Sequence, residues 1–237
     1  MSYEVLSDYY DMFMSDDYYD DYIDFINQHI TFKSVLELGC GTGEMAIRFA
    51  LQGKDVLATD LSSEMLEVVY DKSFRQFPVR LACMDMCDFD IDDAFDAVMI
   101  LTDGINYIID EADILKVFKN SYKALHEDGV LLFDINSLYK CNEILNDYYE
   151  IIDEDDFHFE WHSTTDGNGL VTHDVTIADD GETFHEQHIQ RTLSNDVYHQ
   201  LLKSAGFDRI EMYSDFDEYK DECERIIYIC RKQGSAC

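Results

Sequence analysis

Three glycines, Gly39, Gly41 and Gly43, alternate in the stretch VLELGCGTGE, residues 35–44, directly after an apolar run. Glycine in such a pattern lets the backbone take a positive φ and approach a ligand closely. A tight structural turn would use the same residues. Glycine-rich turns that bind phosphate read G-x-G-x-x-G/A or end in Gly-Lys-Ser/Thr. Here the position of the last small residue is Glu44, and no Gly-Lys-Ser/Thr follows. A carboxylate at that point crowds and repels a pyrophosphate seated on a helix N-terminus. Glu37 stands two residues before the first glycine. An acidic group there favours a cationic or amino-bearing ligand. The chemistry that fits is a nucleoside with a positive tail and no phosphate.

Two further carboxylates extend this pattern. Asp60 follows the next apolar run, KDVLATD, about where an acidic residue hydrogen-bonds ribose hydroxyls in doubly wound sheets. It would equally serve as a helix cap in TDLSSEM. Asp85, in CMDMCDF, suits an adenine amino group with an apolar neighbour for the ring, or else an ordinary strand-end turn. An acidic end on each of three successive strands is the pattern expected for S-adenosylmethionine, which joins adenosine to a sulfonium and an ammonium-bearing tail.

On the opposite side of such a ligand, TDGINYI should face the transferred group. Asp103 and Asn106 are candidates to position a nucleophile, and Asp103 to take its proton; Asp103 would alternatively cap the following helix. HEQH places His185 and His188 three apart on an expected strand, so they point to opposite faces and form no metal pair. His188 is a candidate to reach the substrate cleft or a satisfied structural residue. Arg191 would bind a substrate anion or pair with a carboxylate. Trp161 and Phe159 are expected to pack a small core of their own.

The elements that must hold these residues alternate. SDDYYDDYIDFINQHI carries Tyr19, Tyr22, Ile23 and Ile26 at helical spacing. SVLEL, KDVLATD, VRLACMD, FDAVMIL and GVLLFDIN read as strands, with Pro78 before the third. Helices are expected at EMAIRFALQG, SEMLEVVYDKS capped by Ser62 or Ser63, and EADILKVFKNSYKALHEDG closed by Gly129. This alternation predicts a parallel sheet covered on both faces. From about Tyr148 the helical period disappears. FHFEWHS, GLVTHDVTIA and TFHEQHIQRTLS read as strands joined by the turns TDGNG and DDGE. SNDVYHQLLKSAGF restores a helix, and RIEMYSDF with ERIIYICRK closes the sheet as an antiparallel hairpin.

The chain of 237 residues is long enough for one substantial domain with an insert. Acidic residues outnumber basic ones 51 to 17, a formal charge of −34. That field repels nucleic acid, and no basic stripe is visible. No apolar run of about 18 residues and no signal sequence stands out. Seven cysteines without CxxC spacing suit a reduced, cytoplasmic protein.

Taken together, VLELGCGTGEMA, ATDLSSEML, CMDMCDFD, FDAVMILTDGINYI and LHEDGVLLFDIN resemble the class I S-adenosylmethionine-dependent methyltransferases. The branch most similar is the small bacterial one related to glycine and amino-sugar N-methyltransferases. The resemblance implies an α/β fold with a doubly wound, mostly parallel seven-stranded sheet. It places the core in residues 1–137 and 191–237, with residues 138–190 as an antiparallel insert. That insert and the N-terminal helix would roof the site. It implies that Gly39, Cys40, Gly41 and Gly43 follow the methionine portion of the cofactor and that Glu37 orients that loop or reaches the ammonium through water. Asp60 would hold the ribose, with Leu61 and Met65 on the adenine; Asp85 would accept from its amino group, with Met86 over the ring. The Leu101 carbonyl would meet the amino-acid tail, and Tyr10, or Tyr9 in the adjacent register, would fold over the cofactor. The implied acceptor is a small-molecule N or O nucleophile; the alternatives are an RNA or protein acceptor, or a non-catalytic S-adenosylmethionine-binding regulatory protein. The nucleic-base methylases' Asn/Asp-Pro-Pro-aromatic motif is absent from TDGIN. Oligomeric state stays open between monomer and homodimer.

Overall fold

The computed structural model describes residues 16–73, 78–154, 157–179 and 181–232. Strands β1 (Ser34–Leu38), β2 (Asp55–Asp60), β3 (Val79–Cys83), β4 (Phe95–Ile100) and β5 (Leu125–Asn136) pair in parallel in the order β3-β2-β1-β4-β5. β1, β4 and β5 bury nearly every residue at their centres, as strands covered on both faces require, whereas the edge strand β3 has no fully buried residue. β12 (Arg225–Lys232) adds antiparallel to β5, and β10 (Phe207–Ser214) adds antiparallel to β12. The two-residue β11 (Asp217–Glu218) makes an eighth strand beyond the seven expected.

Helix α1 (Asp16–His29), α2 (Glu44–Leu51) and α3 (Ser63–Ser73) cover one face, and α4 (Glu111–Ala124) with α5 (Asn195–Ala205) covers the other. In α1 the expected stripe is the buried one: Tyr19, Tyr22, Ile23 and Ile26 all face the core. Ser62 caps α3, its Oγ accepting from Met65 N at 3.2 Å. Gly206 ends α5 with φ 112°, a left-handed C-cap.

α4 stops five residues before the expected Gly129. Leu125 pairs with Phe95 in the β4–β5 ladder, and Ala94 N donates to Ala124 O at 2.9 Å. Sheet pairing therefore takes a segment whose side chains alone would have extended the helix. Gly129 instead allows a tight bend, since a Cβ there would sit 2.9 Å from the His126 carbonyl oxygen.

After β5, a π-helical turn (Lys140–Ile144) leads into a second sheet of four antiparallel strands: β6 (Tyr148–Glu154), β7 (Phe157–Thr165), β8 (Leu170–Asp179) and β9 (Glu182–Arg191). Three strands were expected here; β6 is the additional one. The turns at Gly167 and Gly169 and at Gly181 all use positive φ. Phe159 packs with Val175 and Ile177 in a small core of the insert, and Trp161 lies against it.

Candidate functional site

A cavity of about 220 Å³ opens where the sheet reverses direction, at the carboxyl ends of β1 and β4. The loops after β1, β2, β3 and β4 supply most of its walls, and Tyr19 of α1 closes one side.

The floor is the glycine loop. Gly39, Gly41 and Gly43 all have positive φ, at 70°, 53° and 80°. A Cβ on Gly39 would come within 3.1 Å of Met86 Cε, whereas at Gly41 nothing lies within 4 Å. Gly39, Cys40, Gly41 and Thr42 line the cavity; Gly43 does not. A Cβ on Gly43 would strike Val69 Cγ1 at 2.6 Å, so this glycine lets the start of α2 close onto α3. Asp60 holds the loop from the side: Oδ2 accepts from Gly41 N and Oδ1 from Ser62 N, both at 2.9 Å. The helix-capping role considered for Asp60 falls instead to Ser62.

Glu37 is buried at the end of β1 and lines the same cavity. Its Oε2 makes no hydrogen bond to the described residues. Burial first, and the neighbouring Asp60 charge second, push its carboxyl up to about 8. Burial likewise pushes the Cys40 thiol well up, so it stays protonated. Glu44, at the far end of the loop, is paired with Lys72 at 2.8 Å and with Arg48 at 3.8 Å. Its charge is therefore partly neutralised, and the repulsion of phosphate expected of it is weaker than the bare sequence implies.

Leu61, Met65, Met84 and Met86 give the cavity an apolar slot, with Asp85 among its lining residues and Met86 close against Gly39. Leu61 is 69% exposed and Met65 only 3%, so the slot has one open and one closed side. Asp85 is exposed and accepts from Cys87 N at 2.8 Å.

The wall after β4 consists of Thr102, Gly104, Tyr107 and Ile108, all from the TDGINYI stretch, whereas Asp103 and Asn106, its expected functional residues, do not line the cavity. Leu101 lies behind it, buried, with its carbonyl accepting from Thr102 Oγ1 at 2.8 Å and Gly104 N at 3.3 Å. Asp103 also sits behind the lining. It precedes the 3-10 turn (Gly104–Tyr107) without a side-chain cap bond. Its Oδ2 accepts from Gln190 Nε2 at 2.7 Å and its Oδ1 from Arg225 Nη2 at 3.1 Å. Asn106 is buried between two backbones, donating to Arg191 O and accepting from Asn136 N, each at 2.8 Å. His188 lies on the buried face of β9, edge-on to the Tyr107 ring with centroids 6.2 Å apart. Its Nε2 contacts Glu186 Oε2 at 3.1 Å, and burial holds its imidazole below the ordinary value. His185 is on the exposed face of the same strand, beside Thr176. Arg191 donates to the Ile109 carbonyl at 2.9 Å. Tyr9 and Tyr10 lie outside the described residues.

Glu37, Gly39, Cys40, Gly41, Asp60, Leu61, Met65, Asp85 and Met86 thus meet in one cavity, while Gly43, Leu101, Asp103, Asn106 and His188 stand behind its walls. Tyr19 and Tyr107 were not foreseen as lining residues. Tyr19 reads as one member of a core stripe, and Tyr107 only as part of TDGINYI.

A methyltransferase-domain family matches residues 35–129, which run from β1 into the bend of β5. A crystal structure of an S-adenosylmethionine-dependent methyltransferase from Clostridium acetobutylicum ATCC 824 superposes with a TM-score of 0.83 at 29% identity, covering 94% of each chain. A putative methyltransferase of Geobacillus sp. (strain WCH70) is 33% identical over 254 residues, covering 98% of this chain and 100% of that protein. The chain belongs to the S-adenosylmethionine-dependent methyltransferases. A glycine/sarcosine N-methyltransferase of Aphanothece halophytica is a more distant relative of this methyltransferase, 27% identical over 84% of the chain. The cavity of the methyltransferase fits the family's cofactor on its own chemistry. It offers a buried carboxyl oxygen without a partner among the described residues for an ammonium, a carboxylate beside the glycine loop for hydroxyls, and an apolar slot for a planar ring.

Proposed function

We propose that this methyltransferase binds S-adenosylmethionine between the glycine loop and the methionine-lined slot and methylates a small-molecule amine. The observation that carries the reading is Glu37. A buried carboxyl with an oxygen that has no partner among the described residues, facing a second acidic group, is stabilised by a cation and destabilised by a phosphate. Glu37 would hold the methionyl ammonium, Asp60 the ribose hydroxyls, and Asp85 the adenine amino group. Leu61, Met65 and Met86 would pack the ring, and Gly39, Cys40 and Gly41 would follow the tail. Gly43 and Leu101 act from behind by fixing the loops, and Tyr10 is assigned the covering role from the N-terminal segment.

When bound, S-adenosylmethionine supplies an activated methyl group on a sulfonium. The chain's own task is then alignment, which for two well-oriented reactants accounts for on the order of 7–11 kcal/mol of barrier. The wall of Thr102, Gly104, Tyr107 and Ile108 presents neither carboxylate nor imidazole. An amine arriving neutral brings its own lone pair and needs no base, whereas an alcohol needs one. The wall therefore favours N over O. The glycine/sarcosine N-methyltransferase relative points the same way. Asp103, Asn106 and His188 contribute by fixing this wall, and residues 138–190 cover the acceptor from above. The acidic surface, 51 acidic against 17 basic residues, disfavours RNA as acceptor.

The test is methyl uptake from labelled S-adenosylmethionine into a panel of small amines, amino acids, amino sugars, matched alcohols and transfer RNA. Label in an amine is expected. Label only in alcohols or RNA would overturn the assignment.

A further inference from the structure

Asp103 is held by groups from three separate parts of the chain. From the insert, Trp161 Nε1 donates to His173 Nδ1 at 3.1 Å, and His173 Nε2 meets Gln190 Oε1 at 3.3 Å. Gln190 Nε2 then donates to Asp103 Oδ2 at 2.7 Å. From β12, Arg225 donates to Asp103 Oδ1 at 3.1 Å and also to Asp134. From α1, Tyr22 OH donates to Asp134 Oδ1 at 2.8 Å, and Asp134 Oδ2 accepts the Asp103 backbone N–H at 2.9 Å. A continuous hydrogen-bonded chain thus runs from the insert through Asp103 to the first helix.

Every proton in this chain has a fixed direction. Indole N–H is a donor only, so His173 Nδ1 must accept and its Nε2 must carry the hydrogen. Gln190 Oε1 then accepts from His173 and, at 3.2 Å, from Asn136 Nδ2, which leaves its amide N–H to face the carboxylate. Burial holds the His173 imidazole below its ordinary value, which keeps this neutral tautomer. His173, Gln190 and Asp134 are all buried, so losing one member leaves its neighbours unsatisfied away from water.

The segment the chain grips is strained. Thr102 and Asp103 are consecutive non-glycine residues at φ 53° and 56°, and a β-branched residue there is unfavourable. Such a conformation persists only where its surroundings over-determine it. Thr102 and Gly104, on either side of Asp103, line the cofactor cavity.

Building on the cofactor assignment above, we propose that His173 and Gln190 are positioning residues. They latch the insert to the strained Thr102–Asp103 turn, so that cofactor occupancy of the cavity and placement of the insert over the acceptor are coupled through Asp103. This replaces proton abstraction by Asp103 with a mechanical role: Oδ2 accepts from Gln190 of the latch, and Oδ1 is held by Arg225 of β12.

The protein carries its own reporter, because Trp161 is the only tryptophan and forms one end of the latch. S-adenosylmethionine is titrated into the wild-type protein, followed by calorimetry and by Trp161 emission. The same is done for Gln190→Leu, His173→Leu, His173→Gln and, as a control on the outer face of the same sheet, His162→Gln. The latch predicts an emission change on binding in the wild type and the control. It predicts loss of that change in both leucine variants, while calorimetry still shows S-adenosylmethionine binding, with an affinity shifted by the lost coupling. His173→Gln, which keeps one acceptor and one donor, retains at least half of the response. If Gln190→Leu does not fold, His173→Leu decides. Emission that ignores the cofactor while calorimetry shows binding would overturn the latch and leave the cofactor assignment intact. An undiminished response in the leucine variants would also overturn it. Absence of calorimetric binding in the wild type would overturn the cofactor assignment and the latch together.

Discussion

At the scale of single residues, the proposed cofactor binding rests on Glu37. Its carboxyl is pushed up to about 8 by burial and by Asp60, against an ordinary value of 4.5. Between those two values the unfolded chain has lost this proton and the folded one keeps it. Stability of the free protein therefore falls as pH rises from about 4.5 to 8, by on the order of 4 kcal/mol in total. Denaturant unfolding at pH 5, 6, 7 and 8 should show this slope, and Glu37→Gln should flatten it. A cation placed against Glu37 reverses the balance and expels the proton. Titration of S-adenosylmethionine at pH 7 in buffers of different ionisation enthalpy should show release of close to one proton, absent in Glu37→Gln. Asp60 makes a second residue-scale case. Asp60→Ala removes a charge-assisted pair to the ribose and frees the Gly41 N–H, so binding should weaken by at least about 1.5–3 kcal/mol in the same calorimeter. Unchanged affinity would remove Asp60 from the site.

At the scale of elements, two glycines of one loop do different work. Gly43→Ala drives a Cβ into Val69 at 2.6 Å and sets a side chain at φ 80° where α2 begins. It should cost about 2–3 kcal/mol of unfolding free energy. Gly41→Ala meets nothing within 4 Å and pays only for its φ, about 1 kcal/mol. Urea unfolding of the two variants separates them, and equal losses would contradict the packing described. Local pattern was enough to read β1 to β4 and α3, because continuous apolar runs and a serine cap depend on near neighbours. It was not enough at the end of α4, where Leu125 is claimed by Phe95 thirty residues earlier. Nor did it show β6, whose Tyr149 and Ile151 sit on the exposed face and blur the alternation. Glu37, Asp60 and Asp85 were legible because each lies at or just beyond the end of an apolar strand run. The partners of Asp103 were not, because Gln190 and Arg225 lie 87 and 122 residues away.

The whole molecule is shaped by its charge. With a formal charge of −34, its surface carboxylates repel one another, and few of them can find a lysine or arginine. Added salt shortens the Debye length from about 10 Å at 0.1 M to about 3 Å at 1 M and screens this repulsion. The Tm of the free protein should therefore rise steadily with sodium chloride over that range; a fall would mean that attractive ion pairs such as Lys72–Glu44 dominate instead. No helix among the described residues is long and apolar enough to cross a membrane. Two sheets, one mostly parallel and closed over by helices, one antiparallel, accompany an opening between the loops of β1 and β4 that Glu37 and Asp60 line. The proposed placement of the methyltransferase's cofactor rests on that opening. A crystal structure of the complex with S-adenosylhomocysteine addresses it most directly. The ammonium of the homocysteine tail should lie within hydrogen-bond distance of Glu37 Oε2, with the ribose hydroxyls on Asp60. A ligand seated elsewhere, or one that leaves Glu37 without a cationic neighbour, would contradict the account.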